Sequence, residues 1–241
     1  MLVKDWMSTE VISIDHGASL HDAIKLLELN DIRMLPVLNG EELVGVITEM
    51  HLKSCSFFSK FVGQTGFPGS LILDRIKVED VMSKSPVTVS EDFTVAETAS
   101  VLLKNRLLGV VVTDAQSRIK GVITGTDINR LLVSVTGFQG GGIAFGFLQE
   151  DRPGSIKALT DIFRSYGGRL ASILTSYEHA PKGYRKVHIR VRGLDRSKLG
   201  ELQEALAQHA TLLYRIDQRF NKRELFPKAM EHAETLAKKL R

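Results

Sequence analysis

Two stretches of the chain have the same order of apolar and polar positions. In each, a short β-branched strand is followed by apolar residues three and four positions apart, which is the spacing of one helix face. A second β-branched strand and a polar turn come next, and then the sequence GVIT, which stands at 45–48 and again at 121–124. Because Met7 in the first stretch also matches Met82 in the second, the pattern predicts two copies of one β-α-β-β-α unit.

The predicted elements lie at corresponding positions of the two copies. In the first copy they are a strand at 11–14, a helix with the apolar face Leu20, Ile24 and Leu27, and a strand at 35–38. In the second copy they are a strand at 87–89, a helix with the apolar face Val95, Ala99 and Leu102, and a strand at 110–113. A helix is expected after each GVIT strand. The copies are assigned to residues 1–60 and 78–138, with an inter-repeat connection at 61–77.

A different pattern follows the glycine run 140–142, which marks a domain boundary. The predicted elements are a strand at 143–148, a helix from Ser155 to Gly167, hairpin strands at 170–177 and 184–192, a helix at 196–209 and a strand at 211–216. This β-α-β-β-α-β order predicts a ferredoxin-like domain over 143–220, so the fold class is α/β (α+β). Residues 221–241 are interpreted as a basic amphipathic C-terminal helix.

The amino-acid composition narrows the classes of protein to which this chain can belong. The chain has 241 residues, 43% of them hydrophobic and 25% charged, as in folded globular proteins, and one cysteine, Cys55, excludes an internal disulfide. A signal peptide and an apolar run of membrane-spanning length are both absent from the sequence, so we expect a soluble, cytoplasmic protein without a membrane partner. The net charge of +4 comes from basic residues near the end that are not interleaved with aromatics, which disfavours nucleic acid as a partner.

The two copies resemble cystathionine-β-synthase (CBS) domains, which pair into a tandem module. The resemblance rests on Gly121, Thr124 and Asp127, which match the family's Gly-h-h-Thr/Ser-x-x-Asp marker, and on the strand MLPVL at 34–38. It implies that Asp127 accepts hydrogen bonds from both ribose hydroxyls of an adenine nucleotide, AMP, ADP or ATP, in a cleft between the domains. Thr124 and Thr126 would donate hydrogen bonds to the nucleotide through their hydroxyls, and Lys4 or Arg130 would contact its phosphate.

The chemistry of Asp127 supports that role but leaves a second one open. An ionised carboxylate only accepts hydrogen bonds, and two vicinal hydroxyls are two donors, so their pairing is charge-assisted and bidentate. The free N–H groups of a helix that starts here would also suit a phosphate. The alternative is that Asp127 only caps this helix, as aspartate often does.

The first copy departs from the family's marker. His51 stands where the second copy has the aspartate, so the ribose contact lacks its anion. Arg33, however, occupies a position at which family members present a basic residue to the phosphate, whereas the second copy has leucines there. We therefore expect one good site at Asp127 and a weaker second cleft with Arg33, Thr48 and His51.

The third domain resembles the ACT domain, a small regulatory fold. The resemblance rests on the family's D-x-P-G-x-[LI] loop, here Asp151, Pro153, Gly154 and Ile156, and on Gly167 before the second strand. It implies a free amino acid bound between paired domains by Asp151, Pro153, Gly154, Ser155 and Arg169. Since the family often has Asn where Arg169 stands, a domain that serves only for dimerisation is the alternative.

The domain order, two CBS domains followed by an ACT domain, resembles that of the bacterial acetoin-utilisation protein family. This resemblance implies a non-catalytic homodimer that senses an adenine nucleotide and an amino acid and modulates an unidentified partner protein, for example in acetoin utilisation. One alternative is a structural assembly protein with empty clefts. Another is an enzyme related to inosine-monophosphate dehydrogenase, which is disfavoured because the sequence contains no catalytic cysteine loop, metal-ligand cluster or P-loop. Hence no catalytic residue, metal or cofactor is expected.

Overall fold

The structure is a computed structural model that describes residues 1–52 and 73–227. It divides into two compact units, Met1–Asn129 and Arg130–Arg241, each described by itself below. Cys55, most of the predicted inter-repeat connection and the predicted helix after residue 227 lie outside the described residues. Within the described ranges, no helix has both the length and the apolar character needed to cross a membrane.

The first copy forms a four-stranded sheet. Its strands, in spatial order, are β1 (Ile14–Asp15), β2 (Met34–Asn39), β3 (Glu42–Thr48) and β4 (Ser83–Lys84). β1 is parallel to β2, and the other neighbours are antiparallel. Helix α1 (Leu20–Leu29) connects β1 to β2 and starts in a capping box, because Ser19 and Asp22 each accept a hydrogen bond from the other's backbone N–H. Residues 49–52 begin the second helix of the copy.

The second copy repeats this arrangement after the short helix α2 (Val78–Val81). Its sheet contains β5 (Thr88–Ser90), β6 (Gly109–Thr113) and β7 (Ile119–Thr124), again with a parallel and then an antiparallel pair. Helix α3 (Val95–Asn105) starts in a second capping box, made by Thr94 and Glu97. Helix α4 (Gly125–Val135) follows β7 directly. The predicted β-α-β-β-α unit is therefore present, although the first strand of the first copy starts three residues later than predicted.

The N-terminal segment of each copy lies against the last strand of the other copy. β4, in the N-terminal segment of the second copy, pairs with β3, and Ser8 of the first copy forms an isolated bridge with Val122 of β7. The glycines of the two GVIT strands make room for this contact, because a methyl group at Gly121 would lie 2.7 Å from the sulfur of Met7. One at Gly45 would overlap Met82 in the same way. The exchange is reciprocal, so the two copies are related by an approximate two-fold axis.

The second unit contains one five-stranded antiparallel sheet. Its elements are β8 (Ile143–Glu150), α5 (Ser155–Ser165), β9 (Arg169–Ser176), β10 (Tyr184–Arg192), α6 (Leu199–Ala207), β11 (Thr211–Asp217) and β12 (Lys222–Leu225). The strand order β12-β11-β8-β10-β9 contains the predicted β-α-β-β-α-β arrangement. β12 was not predicted: residues 222–225 extend the sheet beside β11 instead of belonging to the C-terminal helix.

Helices α5 and α6 cover one face of this sheet, and the hydrophobic core lies between the helices and the sheet. Phe145 and Phe147 of β8 contact Phe163 of α5, with ring centroids 4.9 and 6.3 Å apart. Val187 and Ile189 of β10 are also fully buried, as the alternating pattern of that strand predicts. This packing fixes α5, and hence the loop before it, at one end of β8 and β10.

Candidate functional site

Asp127 lies at the start of α4 and caps that helix. The backbone N–H and the hydroxyl of Thr124 both donate to Asp127 Oδ2, at 2.9 and 2.8 Å. The Asp127 side chain is buried, with the residue only 5% exposed. The capping role that the sequence left open is therefore present. Because an ionised carboxylate has about four lone-pair positions, capping does not prevent it from binding a ligand as well.

Three other residues that were expected around Asp127, namely Thr126, Arg130 and Lys4, are exposed. Thr126 lies in the first turn of α4, and Arg130 lies one turn beyond Asp127 on the same helix. The ammonium of Lys4 lies 3.0 Å from the carboxylate of Asp92, and that hydrogen bond raises the pKa of Lys4. Lys4 therefore already has an anionic partner, which makes it a weaker candidate for a phosphate contact.

His51 takes the place of the capping aspartate in the first copy. The backbone N–H of Thr48 donates to His51 Nδ1 at 3.1 Å, and the Thr48 hydroxyl lies 3.0 Å from the same nitrogen. Nδ1 must then be unprotonated, so Nε2 carries the proton and donates to Ser83 Oγ at 3.3 Å. Burial lowers the pKa of His51, which also favours the neutral ring.

A cavity of about 470 Å³ opens beside His51, within the size range of small-molecule sites. It lies between the copies and is lined by Val46, Thr48, Met50, His51, Val81, Ser83, Ser85, Pro86, Val87, Arg106, Leu107, Leu108, Gly109 and Val110. Of the described residues that line it, Arg106 is the only Lys or Arg, and none is acidic. Thr48 and His51 are thus brought together as expected, but Arg33 is not among the lining residues.

The approximate two-fold relation between the copies predicts a different position for Arg33. Leu108 of the second copy lines the His51 cavity, and Arg33 is its counterpart in the first copy. Arg106 likewise corresponds to Asp31, and both residues have positive φ angles, 55° and 50°. The correspondence predicts that Arg33 and Asp31 face the cleft that contains Asp127. The expectation that grouped Arg33 with His51 compared residues within one copy, whereas the His51 cavity is lined by residues of both copies.

The loop before α5 is held by Arg185, one of the basic residues in the last part of the chain. Gly154, with φ of +82°, immediately precedes α5. Arg185 of β10 lies 3.0 Å from the Asp151 carboxylate and donates to the hydroxyl of Ser155 at 2.9 Å. Its position could have been inferred, because it shares the alternating inward face with Val187.

Two buried polar atoms near this loop are unsatisfied. The side chain of Gln149 donates through Nε2 to the carbonyl of Ser155 at 2.8 Å, and the residue is 1% exposed. In the part of the chain that the structure describes, Gln149 Oε1 and Arg185 Nε have no hydrogen-bond partner. Since buried polar groups are nearly always paired, this acceptor and this donor indicate a position that a polar ligand or water would occupy.

Arg169 lies at the opposite end of the sheet from this loop. It is the first residue of β9 and pairs with Arg192, near the residue at which β8 begins, whereas the loop at 151–154 follows the end of β8. The eight residues of β8 separate the two ends by roughly 26 Å at about 3.3 Å per residue. Within one chain, Arg169 therefore does not reach Asp151, Pro153, Gly154 and Ser155.

Comparison with known proteins identifies the family of the first unit. The CBS domain model matches residues 3–56 and 78–134. A CBS domain-containing protein of Dictyostelium discoideum is 31% identical over 136 residues, which are 56% of this chain and 93% of that protein. The chain belongs to the CBS-domain family and contains a tandem CBS pair. It also matches the inosine-5′-monophosphate dehydrogenase of Methanocaldococcus jannaschii, at 30% identity, but spans only 21% of that enzyme's length and 49% of its own.

Two solved structures are similar in the same region. CBSX2 in complex with AMP is 25% identical, with a TM-score of 0.45, and the match covers 55% of this chain and 96% of CBSX2. A Vibrio cholerae protein assigned to acetoin utilization (AcuB) is 20% identical, with a TM-score of 0.48, and the match covers 58% of this chain and 96% of that protein.

Proposed function

We propose that this chain is a cytoplasmic, non-catalytic regulator that binds an adenine nucleotide in the cleft of Asp127. The observation that carries the proposal is the buried carboxylate of Asp127 at the start of α4, within the CBS marker of the second copy. In this family, that aspartate accepts hydrogen bonds from the two ribose hydroxyls. The first turn of α4, including Thr126, offers N–H groups to the anionic end of the same ligand.

Arg33 is the preferred phosphate partner in this proposal. Its counterpart Leu108 lines the His51 cavity, so the two-fold correspondence favours a position for Arg33 beside Asp127. Among the described residues Arg33 has no ion-pair partner, in contrast to Lys4, which is paired with Asp92. A guanidinium also binds phosphate bidentately, which a single ammonium does not do.

The test is titration calorimetry of the wild type and of Asp127→Asn with AMP and 2′-deoxy-AMP. The amide oxygen of asparagine still accepts from Thr124, so the start of α4 is retained. Hydrogen bonds to a charged group contribute about 1.5–3 kcal/mol each, so AMP binding should weaken by about tenfold to a few hundredfold. The wild type should prefer AMP over 2′-deoxy-AMP, and the variant should lose most of that preference, because the two changes remove a shared contact.

Two results would count against this proposal. If the ribose preference is unchanged in Asp127→Asn, then Asp127 acts only as a helix cap. If no adenine nucleotide at millimolar concentration binds or raises the melting temperature of the wild type, the alternative of a structural assembly protein with empty clefts is favoured instead.

The second unit is assigned, within the same proposal, to the ACT class with a free amino acid as its ligand. The supporting observation is the buried pair of unsatisfied atoms, Gln149 Oε1 and Arg185 Nε, near the start of α5. An ammonium group would satisfy the acceptor, and a carboxylate would satisfy the donor and the positive end of the helix. An amino acid carries both groups.

Regulation follows if ligands bind one arrangement of a homodimer more tightly than another. A ligand shifts such an equilibrium only through its different affinity for the two states. The partner is taken to be a separate protein, with acetoin utilisation as the pathway that the domain order suggests.

A further inference from the structure

The second unit carries most of the positive charge of the chain. Residues 130–241 contain 20 lysines and arginines and 11 aspartates and glutamates, a net charge of +9. Residues 1–129 contain 12 and 17, a net charge of −5. A charge difference of this size between two parts of a chain favours an anionic partner for the basic part, for example a nucleic acid. Such a partner requires that the fold collects the charge on one surface.

Four basic side chains lie in a row on the sheet face opposite α5 and α6, which is called the open face below. Val187, Ile189 and Val191 of β10 are buried in the core beside these helices, so the alternating residues point to the open face. They are Lys186, His188, Arg190 and Arg192. None of the residues that pair with them on β8 and β9 is acidic. Within residues 1–52 and 73–227, neither Lys186 nor Arg192 has an ion-pair partner, so both can contact phosphate.

Strand pairing brings an aromatic ring beside this row, although the two are distant in the sequence. The Tyr214 hydroxyl of β11 lies 2.7 Å from His188 Nδ1, and the ring planes differ by 26°. Because a hydrogen bond at Nδ1 lies in the plane of the imidazole, the two rings lie side by side and nearly coplanar. Tyr214 fills the space above Gly146, where a methyl group would overlap its ring. Burial and the charge of Lys186 lower the pKa of His188, so its ring is neutral at pH 7.

Phe138 adds an exposed ring to the same face. It is 51% exposed, and the guanidinium of Arg190 lies over it, 5.5 Å from the ring centroid. Arg190 is held in place, because Nε donates to the carbonyl of Thr136 and Nη1 to Gln218 Oε1, both at 3.0 Å. The open face therefore presents aromatic groups interleaved with cations in a fixed arrangement.

We propose that the open face of the second unit binds single-stranded nucleic acid. Bases stack on Phe138 and on the paired rings of Tyr214 and His188, while Lys186 and Arg192 contact phosphates. A single strand exposes both the faces of its bases and its phosphates, so it matches alternating aromatic and cationic groups. This activity is separate from nucleotide binding at Asp127 and does not depend on it.

Other anionic or neighbouring surfaces fit this face less well. A duplex keeps its bases stacked inside and would use only the charge. A second copy of the open face has the same positive charge and is repelled. An acidic protein surface would match the cations but would leave the exposed ring of Phe138 without a stacking partner.

Fluorescence anisotropy of the full chain with a labelled RNA single strand of about 12 nucleotides tests the proposal. The single strand should bind at least about fivefold more tightly than the same sequence in a duplex, because stacking on exposed bases adds to the charge. The logarithm of the affinity should fall linearly with the logarithm of the salt concentration. Inorganic polyphosphate is the control probe, since it offers charge without bases.

Three variants separate stacking from charge. Phe138→Ala should weaken the single strand by about fivefold or more and leave polyphosphate binding unchanged, whereas Phe138→Tyr, which keeps the ring, should bind as the wild type does. Lys186→Gln should weaken both probes and reduce the salt slope by about 0.7, as expected for one lost phosphate contact. Phe93→Ala is the matched control, because Phe93 is an exposed phenylalanine of the acidic first unit, and it should change neither affinity.

The inference is overturned if the labelled single strand does not bind at low salt. It is also overturned if single strand, duplex and polyphosphate bind alike, or if Phe138→Ala leaves the single strand unaffected, because the face would then act through charge alone. Failure of AMP to bind in calorimetry would reject the proposed function and leave this inference standing.

Discussion

Replacing Gly121 by alanine should disturb the contact between the N-terminal segment of the first copy and β7 of the second copy. The added methyl group would lie 2.7 Å from the carbonyl oxygen of Ser8 and 2.7 Å from the sulfur of Met7. The methionine side chain has freedom to move, but Ser8 does not, because its N–H and C=O pair with Val122 at 2.9 and 3.0 Å. The N-terminal segment must therefore shift away from β7.

The magnitude follows from two opposing terms. Overpacking of this kind costs about 1–3 kcal/mol, whereas replacing glycine by alanine stabilises by about 0.4–1 kcal/mol through the unfolded chain. The net expectation is a loss of about 1.3 kcal/mol in the free energy of unfolding of the first unit, taken from the middle of both ranges. Gly45→Ala should cost less, because its worst overlap is with the flexible end of Met82 and the Ser83 carbonyl lies further away, at 3.0 Å.

Urea unfolding followed by tryptophan fluorescence measures this loss. Trp6 is the only tryptophan of the chain and lies next to Met7, so its signal reports on the segment that must move. Gly125→Ala is the matched control, since its methyl group would meet only the carbonyl oxygen of Leu108, at 3.8 Å. The reasoning is refuted if Gly121→Ala unfolds at the wild-type urea concentration, or if Gly125→Ala is destabilised as much.

Two further predictions concern single side chains. Because burial lowers the pKa of His51, the stability that comes from its neutral form should be complete above its ordinary value of 6.5 and lost as the pH falls through the lower folded value. NMR titration gives that pKa, and a pH dependence of unfolding as large in His51→Gln as in the wild type would contradict the link. Arg185→Ala should destabilise the second unit by about 1–3 kcal/mol, because it leaves Asp151 and Ser155 without their partner, whereas Arg164→Ala at an exposed ion pair should cost less than about 0.5 kcal/mol. In a thermal-shift screen of free amino acids, a stabilising ligand should lose its effect in Arg185→Ala, and an effect retained there would contradict the proposed site.

Local features of the chain were predictable because their causes are local. The capping boxes that start α1 and α3 involve residues three positions apart, and the helix faces repeat every three or four positions. The GVIT repeat revealed the two copies, and its last residue, Thr48 or Thr124, donates its backbone N–H to the side chain three positions later, His51 or Asp127. The alternation in β10 likewise identified the inward face that carries Val187 and Ile189. Each of these signals is contained in a short stretch of sequence.

The composition of the sites was decided only by the tertiary structure. Arg33 was assigned by its position within one copy, but the two copies exchange their N-terminal segments, so a cleft combines His51 with Arg106, which is 55 positions away in the chain. Arg169 and Arg185 show the same dependence on the tertiary structure. Both are basic residues of strands, and only the direction of β9 and β10 in the sheet determines that Arg185 reaches the start of α5 while Arg169 lies at the far end. Sequence patterns specify which face a side chain occupies, whereas strand pairing over long separations determines which other side chains it meets.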